Sequence, residues 1–194
     1  MTIAKIIASL CLLGSACVAN AASILLTPGS NITDVRAGDL VTFDIVMDFS
    51  TDAVGLGIDT TLGGAFNVVF DPNALEFEFL FNAEIGDPLF GRDPDILPGL
   101  LESWGFADFD GLTGPSHVGR VVFSVLPAAP ASTFVALEMA NGLGGPFVSA
   151  IDFITIVPVE FNSLEVTVIP VPAAAWFMLS GIGALLVFRR DAKK

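Results

Sequence analysis

The chain has 194 residues, 53% of them hydrophobic, and eight Lys and Arg stand against 21 Asp and Glu for a net charge of −13. Residues 22–169 hold 20 of those acids against only Arg36, Arg92 and Arg120, a net 17 negative charges, which repels nucleic acid and anionic lipid and favours cations and basic partner surfaces. Both cysteines, Cys11 and Cys17, fall within the first 21 residues, so the remainder has no disulfide, thiolate metal site or cysteine nucleophile.

The N-terminal stretch MTIAKIIASLCLLGSACVANA has the three parts of a secretory signal peptide in order. Lys5 is the basic region, residues 6–18 form the apolar core, and Ala19-Asn20-Ala21 is the small-x-small cleavage signal. Ala19 and Ala21 are thus the expected signal-peptidase recognition residues, with cleavage after Ala21. A lipoprotein cut ahead of Cys17 is the alternative, but Gly14 stands where a lipobox carries Leu or a similar residue.

Residues 22–169 read as one domain of strands. Over 40–49, Val41, Phe43, Ile45, Met47 and Phe49 alternate with Thr42, Asp44 and Asp48, the period of a half-buried strand. Phe66, Val68 and Phe70 repeat it, as do Leu75, Phe77, Phe79 and Phe81 with Glu76 and Glu78 toward water. Asp71-Pro72-Asn73-Ala74 between them is a turn. Further strands are expected at 23–27, 103–109, 120–126, 133–139, 147–157 and 163–169. The longest gap without a strand is 86–101, rich in Pro, Gly and Asp. No stretch carries a sustained helical period. The expected fold is an all-β antiparallel sandwich of about nine strands, with Val41, Phe43, Ile45, Phe66, Val68, Phe70, Leu75, Phe77, Phe79 and Phe123 in its core.

Little in this region points to catalysis. There is no Tyr, and the one histidine, His117, falls in the apparent turn Gly114-Pro115-Ser116-His117 beside a serine it is poorly placed to use. Asp93-Pro94-Asp95 and Asp108-Phe109-Asp110-Gly111 put paired carboxylates in expected loops. Asp93, Asp95, Asp108 and Asp110 are therefore candidate Ca2+ ligands, or else solvated turn aspartates, since no complete EF-hand loop follows. No other cofactor is expected.

Two resemblances extend this reading. GGAFNVVFDPNALEFEFL (63–80), TPGSNITDVRAGDLVTFDIVM (27–47) and GRVVFSVL (119–126) resemble the strand and turn pattern of cohesin-type domains. The resemblance implies a jelly-roll-like sandwich that binds other proteins, dockerins being the partners known for the family. The matching positions are core and turn residues, so no contact residue is implied.

The tail is the second. Residues 173–188 are uncharged, Pro172 can start a helix, Trp176 suits a membrane interface, and Arg189, Arg190, Lys193 and Lys194 would stop transfer. At 16 residues the run is slightly short of the ~20 of a typical span. Ile169 and the string Pro170-Val171-Pro172-Ala173-Ala174-Ala175-Trp176, followed by a Gly-containing apolar run and Arg189-Arg190, closely resemble the PEP-CTERM sorting signal, without the glutamate usual between the prolines. That resemblance implies recognition by an exosortase, an inner-membrane-tethered precursor, and a body passed on to the surface or extracellular matrix of a Gram-negative bacterium, where such proteins go with exopolysaccharide and biofilm. Residues 1–21, 22–169 and 170–194 are then signal peptide, sandwich and sorting signal with a transmembrane helix. The expected function is a non-enzymatic protein-interaction module. A carbohydrate-binding module for the producer's own polysaccharide and a plain membrane-anchored periplasmic domain are the alternatives. A sugar site needs exposed aromatic platforms, and Trp104 is the only tryptophan outside the tail.

Overall fold

A computed structural model describes residues 21–52, 54–55, 60–83, 93–141 and 145–170. They form eleven strands and no helix: β1 (Ala22–Pro28), β2 (Leu40–Asp48), β3 (Thr61–Phe70), β4 (Leu75–Asn82), β5 (Asp95–Leu97), β6 (Leu100–Leu112), β7 (Ser116–Val125), β8 (Ser132–Met139), β9 (Val148–Ser149), β10 (Val159–Phe161) and β11 (Ser163–Thr167). One sheet runs β10-β1-β2-β7-β4 and the other β11-β8-β3-β6-β5, with β9 added to β3. Pairing is antiparallel throughout except for β1 with β10.

Alternation in each strand directs one set of side chains between the sheets. Val41, Phe43, Ile45 and Met47 of β2 are fully buried there, and they meet Phe66, Val68, Trp104 and Phe123 from the facing and neighbouring strands in one core. Phe123 is its aromatic hub, with ring centroids 4.7 Å from Phe70, 6.2 Å from Phe43 and 6.3 Å from Phe77. Among the described residues, the members of this core run from Ala22 to Val168.

Nine expected strands become eleven because β5 and β10, three residues each, are too short to show a period. Two expectations are corrected. Residues 147–157 are not one strand: only Val148 and Ser149 join β3, Ile156 bridges back to Val148, and the segment between them turns. Phe79 and Phe81 are not core residues, being 55% and 59% exposed. The register of β4 on β7 slips between Phe77 and Phe79, from Phe77↔Phe123 to Phe79↔Val122. A bulge at Glu78 thus reverses which residues face inward, and Leu80 packs against the core instead. Within the expected 86–101 gap, Asp95–Leu97 is a strand and β6 starts at Leu100, while 84–92 lie outside the described residues.

The sandwich has two distinct ends. At one end Thr61 of β3 pairs with Leu112 and Ser149, and Phe49 donates to the Thr113 carbonyl. At the other, Phe70 donates to Gly99, Leu126 donates to Ala74, and Val168 donates to Ala131. Nine residue steps of β3 put these ends roughly 30 Å apart at ~3.3 Å per residue.

Candidate interaction surfaces

The aspartates singled out as metal ligands are dispersed. Asp95 opposes Glu102 across β5 and β6, and Asp93 accepts a 3.2 Å bond from the Asn82 amide. Asp108 lies six residues beyond Glu102 on β6, roughly 20 Å along a strand. There β6 advances five residues, from Ala107 to Leu112, while β3 advances two, from Gly63 to Thr61. Asp108, Phe109, Asp110 and Gly111 form this excursion, and the Asp108 carboxylate accepts the Asp110 N–H at 2.9 Å. Among the described residues no three His, Cys, Asp or Glu side chains gather as a metal donor set.

Of the expected processing residues, Ala21 and Pro170 bound the described sandwich. Ile169 bonds to the Val35 carbonyl, and the exposed Pro170 follows. Ala19, Val171, Pro172, Ala173, Ala174, Ala175, Trp176, Arg189 and Arg190 lie outside the described residues, as does the apolar run 173–188. No helix among the described residues is long and apolar enough to cross a membrane.

The two outer faces differ in chemistry. The strands of the six-stranded sheet contain Asp95, Glu102, Asp108, Asp110, Glu138 and Glu165 but no Lys, Arg or His. Its register aligns Ala136, Val69, Leu100 and Leu97 in a row across β8, β3, β6 and β5. Leu97 is 43% exposed and Phe134, beside this row, 49%. Glu138, held at 3.3 Å by the Asn67 amide, Glu165, bonded by the Ser132 hydroxyl, Glu102 and Asp95 flank it. The result is an apolar strip with an acidic margin.

The five-stranded sheet carries a compensated cluster instead. Asp44 accepts from Arg120 through both oxygens, at 2.7 and 3.2 Å, and lies 3.1 Å from His117 Nε2. The Arg120 guanidinium, aided by His117, holds the Asp44 carboxyl below its ordinary range despite some opposing desolvation. His117 is therefore a β7 residue beside the Asp44–Arg120 ion pair, not a turn residue, and Ser116 before it points to the opposite face. The alternation of 40–49 identified Asp44 as solvent-facing, but nothing local in the sequence linked it to positions 117 and 120. Phe81 faces Arg120 across β4 and β7.

Each end of the sandwich has an apolar feature of its own. At the Thr61 end, the 149–157 segment exposes Ile151, Phe153, Ile154 and Ile156, with Ile154 at 82%. Asp152 pins this loop by accepting the Ile154 and Thr155 N–H groups at 3.1 and 2.9 Å and the Thr155 hydroxyl. Ser149 accepts Phe153 N–H on its carbonyl and Ile151 N–H on its hydroxyl. Phe153 has a φ of 62°, a left-handed conformation a bulky side chain seldom adopts. At the Phe70 end, a groove of about 470 Å³ opens between β4 and β5, lined by Leu75, Phe77, Ile96, Leu97, Pro98 and Leu126 among others.

The architecture has known counterparts. The seventh ScaB type I cohesin of Pseudobacteroides cellulosolvens superposes with a TM-score of 0.58 at 17% identity, over 78% of this chain and 94% of that one. The sandwich has the cohesin fold. A non-cellulosomal cohesin of the archaeon Archaeoglobus fulgidus matches at 0.52 and 18% identity, over 81% and 97% of the two chains. A chain of the Coh-OlpA–Doc918 type I cohesin–dockerin complex of Clostridium thermocellum matches at 0.54 and 12%, over 77% and 100%. No protein-family model matches the chain, and no curated protein does. Within this cohesin fold, Trp104 is fully buried and stacked on Phe66 with ring centroids 5.6 Å apart.

Proposed function

We propose that this chain is an exported, non-enzymatic surface or extracellular-matrix protein whose cohesin-type sandwich binds a protein partner. The observation that carries the reading is the outer face of the six-stranded sheet, an apolar strip flanked by acids in a sheet without a cation. Such a face suits a partner presenting apolar anchors among Lys and Arg, with opposite charge speeding encounter and fixing register. The complex of the C. thermocellum cohesin fold with a dockerin supports a protein partner as the class. Burial of Trp104 removes the one body tryptophan that could have served as a sugar platform. Catalysis has no support in the His117 cluster, where Asp44 is already engaged by Arg120 and Ser116 lies on the other face.

The tail supplies the address. In this reading the exosortase recognises Pro170 to Trp176 while the apolar run and Arg189-Arg190 hold the precursor in the inner membrane. Pro170 and Pro172 keep the segment extended and free of helix ahead of the membrane run. Replacing both prolines with Ala, with the apolar run intact, should cause full-length precursor to build up in the membrane while surface material falls. A wild-type protein recovered full length in the inner membrane, and a variant that behaves identically, would make the tail a simple anchor. The binding face is tested separately by capture from matrix extracts with wild-type protein and with a Glu138→Lys, Glu165→Lys variant. Capture should be weakened by salt and lost in the variant; equal capture by both removes this face from consideration.

A further inference from the structure

We propose that copies of this chain assemble head to tail, the 149–157 loop of one copy seated in the β4–β5 groove of the next. The loop is a preformed knob. Its hydrogen bonds hold four large apolar side chains outward, and Phe153 is kept in a left-handed backbone conformation to do so. Strain of this kind persists only where the surroundings over-determine it, and it gathers at functional positions. The groove is the matching hollow, open and lined by aliphatic, aromatic and proline side chains.

A second copy fits the groove because of how charge is disposed on both features. The loop's one charge, Asp152, is turned back into its own turn by three hydrogen bonds. Among the groove's lining residues the one charge is Glu76, which is exposed. Neither feature offers a cation or needs one, so a charge-free knob meets a nearly charge-free hollow. A foreign basic partner is matched instead by the acidic sheet face, which adjoins the groove at Leu97 and extends away from it to Glu138 and Glu165. Knob and hollow sit at opposite ends of one rigid sandwich, so the contact is heterologous. It adds copies end to end, each new copy presenting the same free knob or hollow to the next.

Assembly must also overcome repulsion between strongly acidic bodies. Screening shortens the reach of those charges from ~30 Å at 0.01 M salt to ~8 Å at 0.15 M, so added salt should promote self-assembly.

The test uses the full chain in mild detergent, where the tail is common to every variant. Sedimentation velocity should show wild-type protein growing in size with concentration and with salt. Ile154→Asp and Ile96→Glu should each leave it monomeric; both sites are exposed, so folding is spared, and Ile96 lies outside the apolar strip of the partner face. In a background with Cys11 and Cys17 replaced by Ser, Ile154→Cys copies mixed with Ile96→Cys copies should oxidise to a mixed cross-link. Wild-type protein that stays monomeric in high salt overturns the proposal. So does assembly unaffected by either substitution, or cross-linking of Ile154→Cys copies only to one another. None of these outcomes alters capture through Glu138 and Glu165, so this inference and the proposed partner face fail independently.

Discussion

Gly63 sits opposite Ala107 where β3 pairs with β6, with a φ of +122° and space for no side chain. A Cβ there would lie 2.1 Å from the Phe106 carbonyl oxygen and 2.4 Å from the Ala107 Cα. Gly63→Ala must therefore displace backbone, and overpacking of this kind typically costs about 1–3 kcal/mol; urea unfolding of the two proteins measures it. Asp152 makes a different demand. The Thr155 hydroxyl first, then the Thr155 and Ile154 N–H groups, hold its carboxyl below the usual carboxylate range. A depressed folded-state value means that its contribution is fully present above the unfolded pKa of about 3.9 and is lost as pH falls through the folded value. The 149–157 loop should accordingly loosen under acid, read as falling exchange protection of the Ile154 and Thr155 amides below about pH 4. Calcium should leave the melting temperature unchanged, because the Asp93/Asp95 and Asp108/Asp110 pairs stand apart and no third acidic side chain joins either among the described residues. A rise approaching ~2.7 kcal/mol of stability at 100-fold excess over Kd would instead assign it a site.

At the scale of the element, the bulge at Glu78 divides β4 into two halves with opposite facing. Phe123→Ala removes the hub of the core and should cost ~3–5 kcal/mol, whereas Phe79→Ala, beyond the bulge and exposed, should stay within ~0.5 kcal/mol. Comparable losses in urea unfolding would mean that the bulge is absent in solution. The contrast also marks what the sequence could reveal. LEFEFLF alternates as far as Phe79, and the apolar Leu80, where a water-facing residue is due, is the mark that the bulge leaves. Strand β2, buried on one face and regular until its last residues, was legible from period alone. So was the identity of its core side chains. The 147–157 segment failed for the opposite reason: its apolar residues imitate a strand, while the single Asp152 carboxylate turns the chain. The Asp44 cluster depended on long-range register between β2 and β7, and the groove on two sheet edges far apart in sequence. Neither leaves a local signal.

For the whole molecule, two kinds of association are expected to respond to salt in opposite directions. Binding of a basic partner on the acidic sheet should weaken as salt rises, and in-line assembly should strengthen. Titrating one preparation with sodium chloride, with light scattering and partner capture followed together, separates the two; parallel responses would mean that a single surface serves both. The placement of the sandwich's ends has a mechanical consequence. β1 begins at the Thr61 end, where Ser23 opposes Asp48, and Val168 and Ile169 leave at the Phe70 end. A pull between those points runs along the strands, across ladder hydrogen bonds lying perpendicular to it. The six registered pairs of β1 with β2 and the parallel pairing of β1 with β10 would then bear force together in shear, not peel apart one by one. A body held at one end and tugged at the other by flowing water would yield late and all at once.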